Sequence, residues 1–147
     1  MGKRVRDAMT PNPRTVGESD TVVEAAHIME ADDIGSIPVV DRDQILLGMI
    51  TDREIALRVV GAGRDPRTTT VGDVATKQVS PAYPDEPLDE ALEMMAYRQV
   101  RRLPVIEDDR VIGILAQADV VHEVKDKRAG HLIEEISQDR EHAAVGH

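Results

Sequence analysis

Apolar positions along the chain change period in a fixed order, and the order occurs twice. Val22, Ala25, Ala26 and Met29 fall three and four apart, the stripe of an amphipathic helix. Asp20 or Thr21 stands at its head, Thr21 and Glu24 have capping-box spacing, and Gly35 supplies a stop signal. Two short apolar runs, 37–40 and 46–50, follow on either side of a polar turn at 41–44 and predict a hairpin. Thr51 and Asp52 then open a second helix that ends near the glycines at 61 and 63. In the second half Pro87, suited to a first helical position, leads a stripe of Leu88, Ala91, Leu92 and Met95. Apolar runs at 103–106 and 111–115 flank a turn at 107–110, and Gln117 opens a last helix that ends near 127–130.

A shift of 66 residues makes the duplication explicit. It lays Val5, Asp7 and Thr10 on Val71, Asp73 and Thr76, and Glu24, Ala25 and Met29 on Glu90, Ala91 and Met95; it also lays Pro38-Val39 on Pro104-Val105. One residue is missing from the second turn, after which a shift of 65 pairs Gly48 with Gly113 and Val59 with Val124. The copies span residues 5–63 and 71–128, joined by a linker at 64–70. The tail at 129–147 has one short apolar cluster, Leu132, Ile133 and Ile136. Each copy reads as lead-in segment, helix, strand, strand, helix, which is an α/β fold. The proline heading each first strand cannot donate a ladder hydrogen bond, so it is expected at a strand start or edge and not within a central strand.

Composition narrows the function. With 147 residues, 41% of them hydrophobic, the chain can bury one core or two small ones. Having no Phe, no Trp and two Tyr, it must build that core from aliphatic side chains and offers no stacking platform for single-stranded nucleic acid. A net charge of −10 repels phosphate backbones, so neither DNA nor RNA is an expected partner. The absence of Cys excludes disulfides and thiolate metal sites. The five histidines, His27, His122, His131, His142 and His147, have no i, i+4 pair, and no metal site is expected. No run approaches the roughly 18 to 20 apolar residues of a membrane span, and Met1 to Arg4 lead into a charged segment; a cytoplasmic chain is expected. No nucleophile elbow, P-loop or dinucleotide fingerprint appears, so the chain reads as a binding module and not as an enzyme.

Two copies of helix, strand, strand, helix, each with a Pro-Val strand and a Gly-led second strand running into a polar helix start, resemble a CBS domain pair over residues 5–128. The segment Gly48-Met49-Ile50-Thr51-Asp52-Arg53-Glu54 is similar to the Gly-x-x-Thr-x-x-Asp ligand signature of that family. The wording around Ile34-Gly35-Ser36-Ile37-Pro38-Val39 and Arg101-Arg102-Leu103-Pro104-Val105 is similar to the small hypoxic response and general stress members. The resemblance implies two motifs related by a pseudo-twofold, sheets packed together with helices outside. It further implies association of two chains into a flat homodimeric disc.

It also implies a regulatory site for an adenosine derivative, AMP, ADP, ATP or S-adenosylmethionine, in the cleft between the copies, with output through oligomeric state or a separate effector protein. Such a ligand needs an apolar slot, a carboxylate for its vicinal diol and donors for its anionic tail. In the first copy Ile37 and Val39 are candidates for the slot, with Thr15 and Val16 offering backbone groups to the purine edge. Thr51 and the helix start would cradle phosphate, and Glu54, at the family's Asp position, would accept the ribose hydroxyls. Arg101, Arg102 and Arg53 are candidate phosphate ligands. The second copy reads Gly113-Ile114-Leu115-Ala116-Gln117-Ala118-Asp119, keeping a carboxylate in Asp119 but losing the hydroxyl; Ala82, Tyr83 and Val105 would wall its site.

Each residue has a plainer reading beside the ligand one. Thr51 and Glu54 form a capping box by spacing alone. Asp119 suits a first helical turn, Arg101 and Arg102 suit surface ion pairs, and Ile37, Val39 and Val105 suit a core. Met29, Met94 and Met95 are packing residues. On the plainer readings the chain is a ligand-free structural or interaction protein of the same fold. An enzyme acting on nucleotides is the remaining rival.

Overall fold

The structure, a computed structural model, describes residues 2–118. α1 (Val5–Ala8) and β1 (Thr10–Pro11) precede α2 (Val22–Asp32), β2 (Ser36–Val40) and β3 (Leu46–Thr51). α3 (Asp52–Ile55) runs directly into a π-helical turn, Ala56–Val60. α4 (Val71–Val74), α5 (Leu88–Arg98), β4 (Arg102–Glu107) and β5 (Arg110–Ala116) complete the described part. The helix expected from Gln117 onward, the tail, Asp119 and four of the five histidines lie outside the described residues.

Capping decides the helix ends. Thr21, not Asp20, caps α2, its hydroxyl accepting from the Glu24 amide at 3.2 Å. The helix stops at Asp33, which takes a left-handed φ of 54°, two residues before Gly35; the Ile34 amide returns to the Met29 carbonyl at 3.0 Å. The repeat partner Gln99 does the same with a φ of 55°, and Val100 bonds Met95 at 3.0 Å. A short polar side chain, and even Gln, therefore closes a helix where Gly is the sequence-based expectation. Pro87 occupies the cap position of α5 and not its first turn, and has no side-chain cap to give; the Leu88 amide is satisfied instead by the Lys3 carbonyl at 2.9 Å.

The described chain forms two compact units, and each mixes residues of both repeats. Unit 1 comprises described residues 2–11, 80–107 and 112–118; unit 2 comprises 12–79 and 108–111. In unit 1, β1 pairs antiparallel with β5, Thr10 opposite Ile114, in the sheet order β1-β5-β4. Its core is Val5 and Ala8 of α1 against the α5 stripe Leu88, Ala91, Leu92 and Met95 and the strand residues Leu103, Val105 and Leu115. In unit 2, β2 pairs antiparallel with β3, Ile37 opposite Ile50, and Met49 bridges Thr76. Val71 and Val74 of α4 join Val22, Ala25 and Met29 of α2 with Ile37, Val39 and Ile50 in its core. Neither core contains an aromatic ring; each fully buried Leu, Ile or Met contributes about 1.5–3 kcal/mol.

The lead-in segment of each repeat is thus built into a core with the helix and strands of the other, and the backbone bonds obey the 66-residue shift. The Val5 amide donates to Glu86 at 3.0 Å and the Arg6 amide to Pro84 at 2.9 Å; the Val71 amide donates to Asp20 at 2.8 Å and the Gly72 amide to Glu18 at 2.9 Å.

The close approach of the lead-in segments explains the glycine of each second strand. A Cβ on Gly48 would land on the Thr76 carbonyl oxygen, and one on Gly113 would lie 2.6 Å from Met9 Sδ and 3.0 Å from the Thr10 carbonyl.

The prolines lie on edge strands of their sheets, as expected, though not at the strand starts. Pro38 is the third residue of β2, opposite Met49, with Val16 bridged to the other side of the same strand. The strand tolerates it because the Val16 bridge uses only the Pro38 carbonyl, at 3.1 Å, and the Val40 amide, at 2.9 Å. No bond is asked of the proline nitrogen. Pro104 repeats this, its carbonyl accepting from the Ala82 amide at 2.9 Å.

Candidate functional site

In unit 2 the signature residues gather where β3 gives way to α3. Thr51 caps that helix from an extended backbone, its hydroxyl accepting from the Glu54 amide at 3.1 Å. Glu54 returns the bond: its Oε1 accepts from the Thr51 amide at 2.8 Å and from the Thr51 hydroxyl at 3.2 Å. The two residues form the capping box that their spacing predicts.

Glu54 has a second set of partners. Only 8% exposed, its Oε2 accepts from the Thr76 hydroxyl and from Arg58 Nη1 at 3.4 Å. Arg58 Nη1 also donates to the Val74 carbonyl at 2.8 Å. One buried carboxylate therefore ties the start of α3 to the lead-in segment of the second repeat, and its charge is balanced by one guanidinium and three further donors.

Across the hairpin, Ser36 stands opposite Thr51. Its hydroxyl is buried with no hydrogen-bond partner among the described residues, an arrangement that ordinarily carries a cost of roughly 1–3 kcal/mol. It shares its sheet face with Pro38 by alternation. The Asp52 amide is anchored on the neighbouring Gly35 carbonyl at 3.0 Å.

The other candidates of the first copy separate. Thr15 is half-buried, and Val16 is buried with its backbone committed to Pro38 and Val40. Ile37 and Val39, 0% and 1% exposed, point into the apolar core against α2; the strand's period of two carries Ser36 and Pro38 to the other face. Arg53 is exposed on α3.

In unit 1, Ala82 bridges Val105, and both are fully buried in the core. Tyr83, half-exposed, has its amide held by Glu86 Oε1 at 2.6 Å. Arg101 and Arg102 are exposed at the head of β4; the Arg101 carbonyl accepts from the Gln117 amide at 2.8 Å, the counterpart of the Asp52 to Gly35 bond. Ala116 holds the place of Thr51 and brings no side-chain hydroxyl to that position.

Thr76, Arg58 and Ser36 are the site residues that sequence reasoning missed. Thr76 is 22 positions from Glu54, and no local pattern announces that contact. Only its repeat partnership with Thr10, at the strand that crosses the glycine, marked it.

The model of the CBS domain family matches residues 5–61 and 71–126. The chain is a CBS domain pair. Such a pair is a regulatory module. The CBS domain-containing protein YhcV of Bacillus subtilis is 37% identical over 139 residues, 94% of this chain and 98% of that protein. Hypoxic response protein 1 of Mycobacterium tuberculosis is 39% identical over 115 residues, 78% of this CBS pair and 80% of that protein.

Among solved structures, Hypoxic Response Protein I with two coordinated zinc ions superposes with a TM-score of 0.76 at 37% identity, covering 83% of this chain and 99% of that one. The CBS domain pair of protein MJ0100, in complex with 5-methylthioadenosine and S-adenosyl-L-methionine, gives 0.74 at 28% identity, covering 83% and 95%. This CBS pair has no cysteine, and among its described residues no group of three His, Asp or Glu side chains is gathered as a metal site requires. No helix among the described residues is long and apolar enough to cross a membrane.

Proposed function

We infer that this CBS pair is a non-catalytic sensor that takes an adenosine derivative, AMP, ADP, ATP or S-adenosylmethionine, at the β3–α3 junction of unit 2. The carrying observation is the buried Ser36 hydroxyl, unpartnered among the described residues, on the residue paired opposite Thr51, whose own capping partner is a carboxylate that a ribose diol would seek. The adenosine ligands held by the MJ0100 pair support the choice of class. Arg53, Arg101 and Arg102 remain candidates for the anionic tail, and Asp119 for a second site. The reading includes a homodimer and output by conformational or oligomeric change, through a separate effector where one exists. The hypoxic response relative favours a stress setting, and the reading keeps the cytoplasm as the expected compartment.

Calorimetric titration of nucleotide-stripped protein with the four ligands tests this. Micromolar binding is expected, weakened in Ser36→Ala and abolished in Glu54→Ala, with circular dichroism confirming that both variants fold. A second reading, a ligand-free interaction module, is favoured by the Glu54 carboxylate, whose two oxygens already have partners from the chain itself. Absence of heat with all four ligands decides for it.

A further inference from the structure

Glu54 is buried and both of its oxygens are engaged, but the two ends differ in kind. Oε1 is held by the Thr51 amide and hydroxyl, one turn away in the same capping box, and is part of the helix start. Oε2 is held by a hydroxyl from a distant segment, Thr76, and by a long contact to Arg58. A ribose hydroxyl that reaches this carboxylate must therefore displace a donor from Oε2. The Thr76 hydroxyl is the donor it replaces like for like.

We propose that Thr76 stands on Glu54 in the place of a ligand hydroxyl, so that filling the unit 2 site and holding residues 74–76 against α3 are alternatives. The inference rests on the functional reading above and adds how that site reports. The segment released is bonded at few points. Thr76 and Met49 exchange a pair of backbone bonds at 2.9 Å, and Arg58 links the Val74 carbonyl to the same Glu54 oxygen. Displacing the Thr76 hydroxyl draws Glu54 and Arg58 toward the ligand and leaves the Val74 carbonyl to find water. Because α4 sits in the core between the repeats' shared elements of unit 2, with Val71 and Val74 buried there, loosening its C-terminal end loosens the junction of the two repeats in the chain. The glutamate at the family's aspartate position fits this role: its extra methylene lets one carboxylate close the capping box and still reach Thr76.

The test compares wild type, Thr76→Val and Thr76→Ser by titration with AMP, ADP and S-adenosylmethionine, and follows amide hydrogen exchange at Met49 and Thr76 with and without ligand. Thr76→Val removes the competing hydroxyl at constant shape and should bind about tenfold tighter, the worth of one hydrogen bond to a charged acceptor. Thr76→Ser keeps the hydroxyl and should bind as wild type does. Saturating ligand should speed exchange of the two amides at least severalfold in wild type and leave the already faster Thr76→Val unchanged. Ligand bound by Thr76→Val with equal or lower affinity, or slower exchange of the two amides on binding, overturns the exchange of partners alone and leaves the sensor reading intact. No binding by any of the three proteins overturns both.

Discussion

In unit 2 the Asp52 amide bonds the Gly35 carbonyl at 3.0 Å, and in unit 1 the Gln117 amide bonds the Arg101 carbonyl at 2.8 Å. The strand–helix junctions share that backbone anchor, and the lead-in segments are tied by bonds that match residue for residue. Side chains do not follow. Thr51, Glu54 and Thr76 join in one network in unit 2, whereas unit 1 has Ala116 where Thr51 stands and exposed Arg102 where Ser36 stands. Duplication has preserved what the backbone needs to close two equivalent cores and let the polar chemistry diverge. Fold and function therefore fail under different substitutions.

The largest effect expected is in the cores. Leu92→Ala in unit 1 and Ile50→Ala in unit 2, both fully buried, should each cost about 2–5 kcal/mol in urea unfolding. Native-state hydrogen exchange then tells the units apart. Leu92→Ala should expose the amides of Val5 and Met9, which belong to the first repeat but pack in unit 1; Ile50→Ala should expose Val71 and Ala75 instead. If Val5 follows Ile50→Ala and not Leu92→Ala, the exchange of lead-in segments is wrong.

The glycines of the second strands sharpen the contrast. Gly48→Ala drives a methyl group into the Thr76 carbonyl, which is backbone and cannot swing away, and should cost about 1–3 kcal/mol. At Gly113 the first obstacle is Met9 Sδ, the far end of a flexible side chain, with the Thr10 carbonyl farther off at 3.0 Å. Gly113→Ala should therefore move the urea midpoint distinctly less. Equal shifts would mean that the two crossings are equally rigid.

How much of this was legible in the sequence depends on the range of each interaction. The α5 stripe of Leu88, Ala91, Leu92 and Met95 is buried as its period requires, and Thr51-x-x-Glu54 forms the box its spacing announces, because both depend on neighbours within one turn. Ala26, counted in the α2 stripe, is only half-buried. Period two placed Ile37 and Val39 on one face of β2 but could not say which face meets the helices; they meet α2. Repeat spacing fixed the equivalence of Val5 with Val71, yet no local pattern states that each packs with the other repeat's helix. The Glu54 to Thr76 bond joins segments far apart along the chain and is invisible until the chain is folded.

The smallest effect expected concerns two exposed carboxylates that hold the lead-in segments. In unit 1 Arg6 Nε donates to Asp85 Oδ1 at 3.1 Å, and that guanidinium holds the Asp85 carboxyl below the usual carboxylate range. In unit 2 the Asp73 carboxyl is lowered first by hydrogen bonds from Thr70, whose amide lies at 3.3 Å, and only then by Arg64. A carboxyl lowered in the folded state contributes stability that is complete above its unfolded pKa, about 3.9. That contribution is lost as pH falls through the lower folded value. Asp85→Asn and Asp73→Asn should each flatten the fall of the urea midpoint between neutral pH and about pH 3. Salt separates them, since an exposed ion pair is screened and a hydroxyl or amide bond to its own helix cap is far less so. In high salt the Asp85→Asn difference should shrink while that of Asp73→Asn persists; if both shrink alike, the Thr70 bonds do not dominate at Asp73, and the two segments are held by the same force after all.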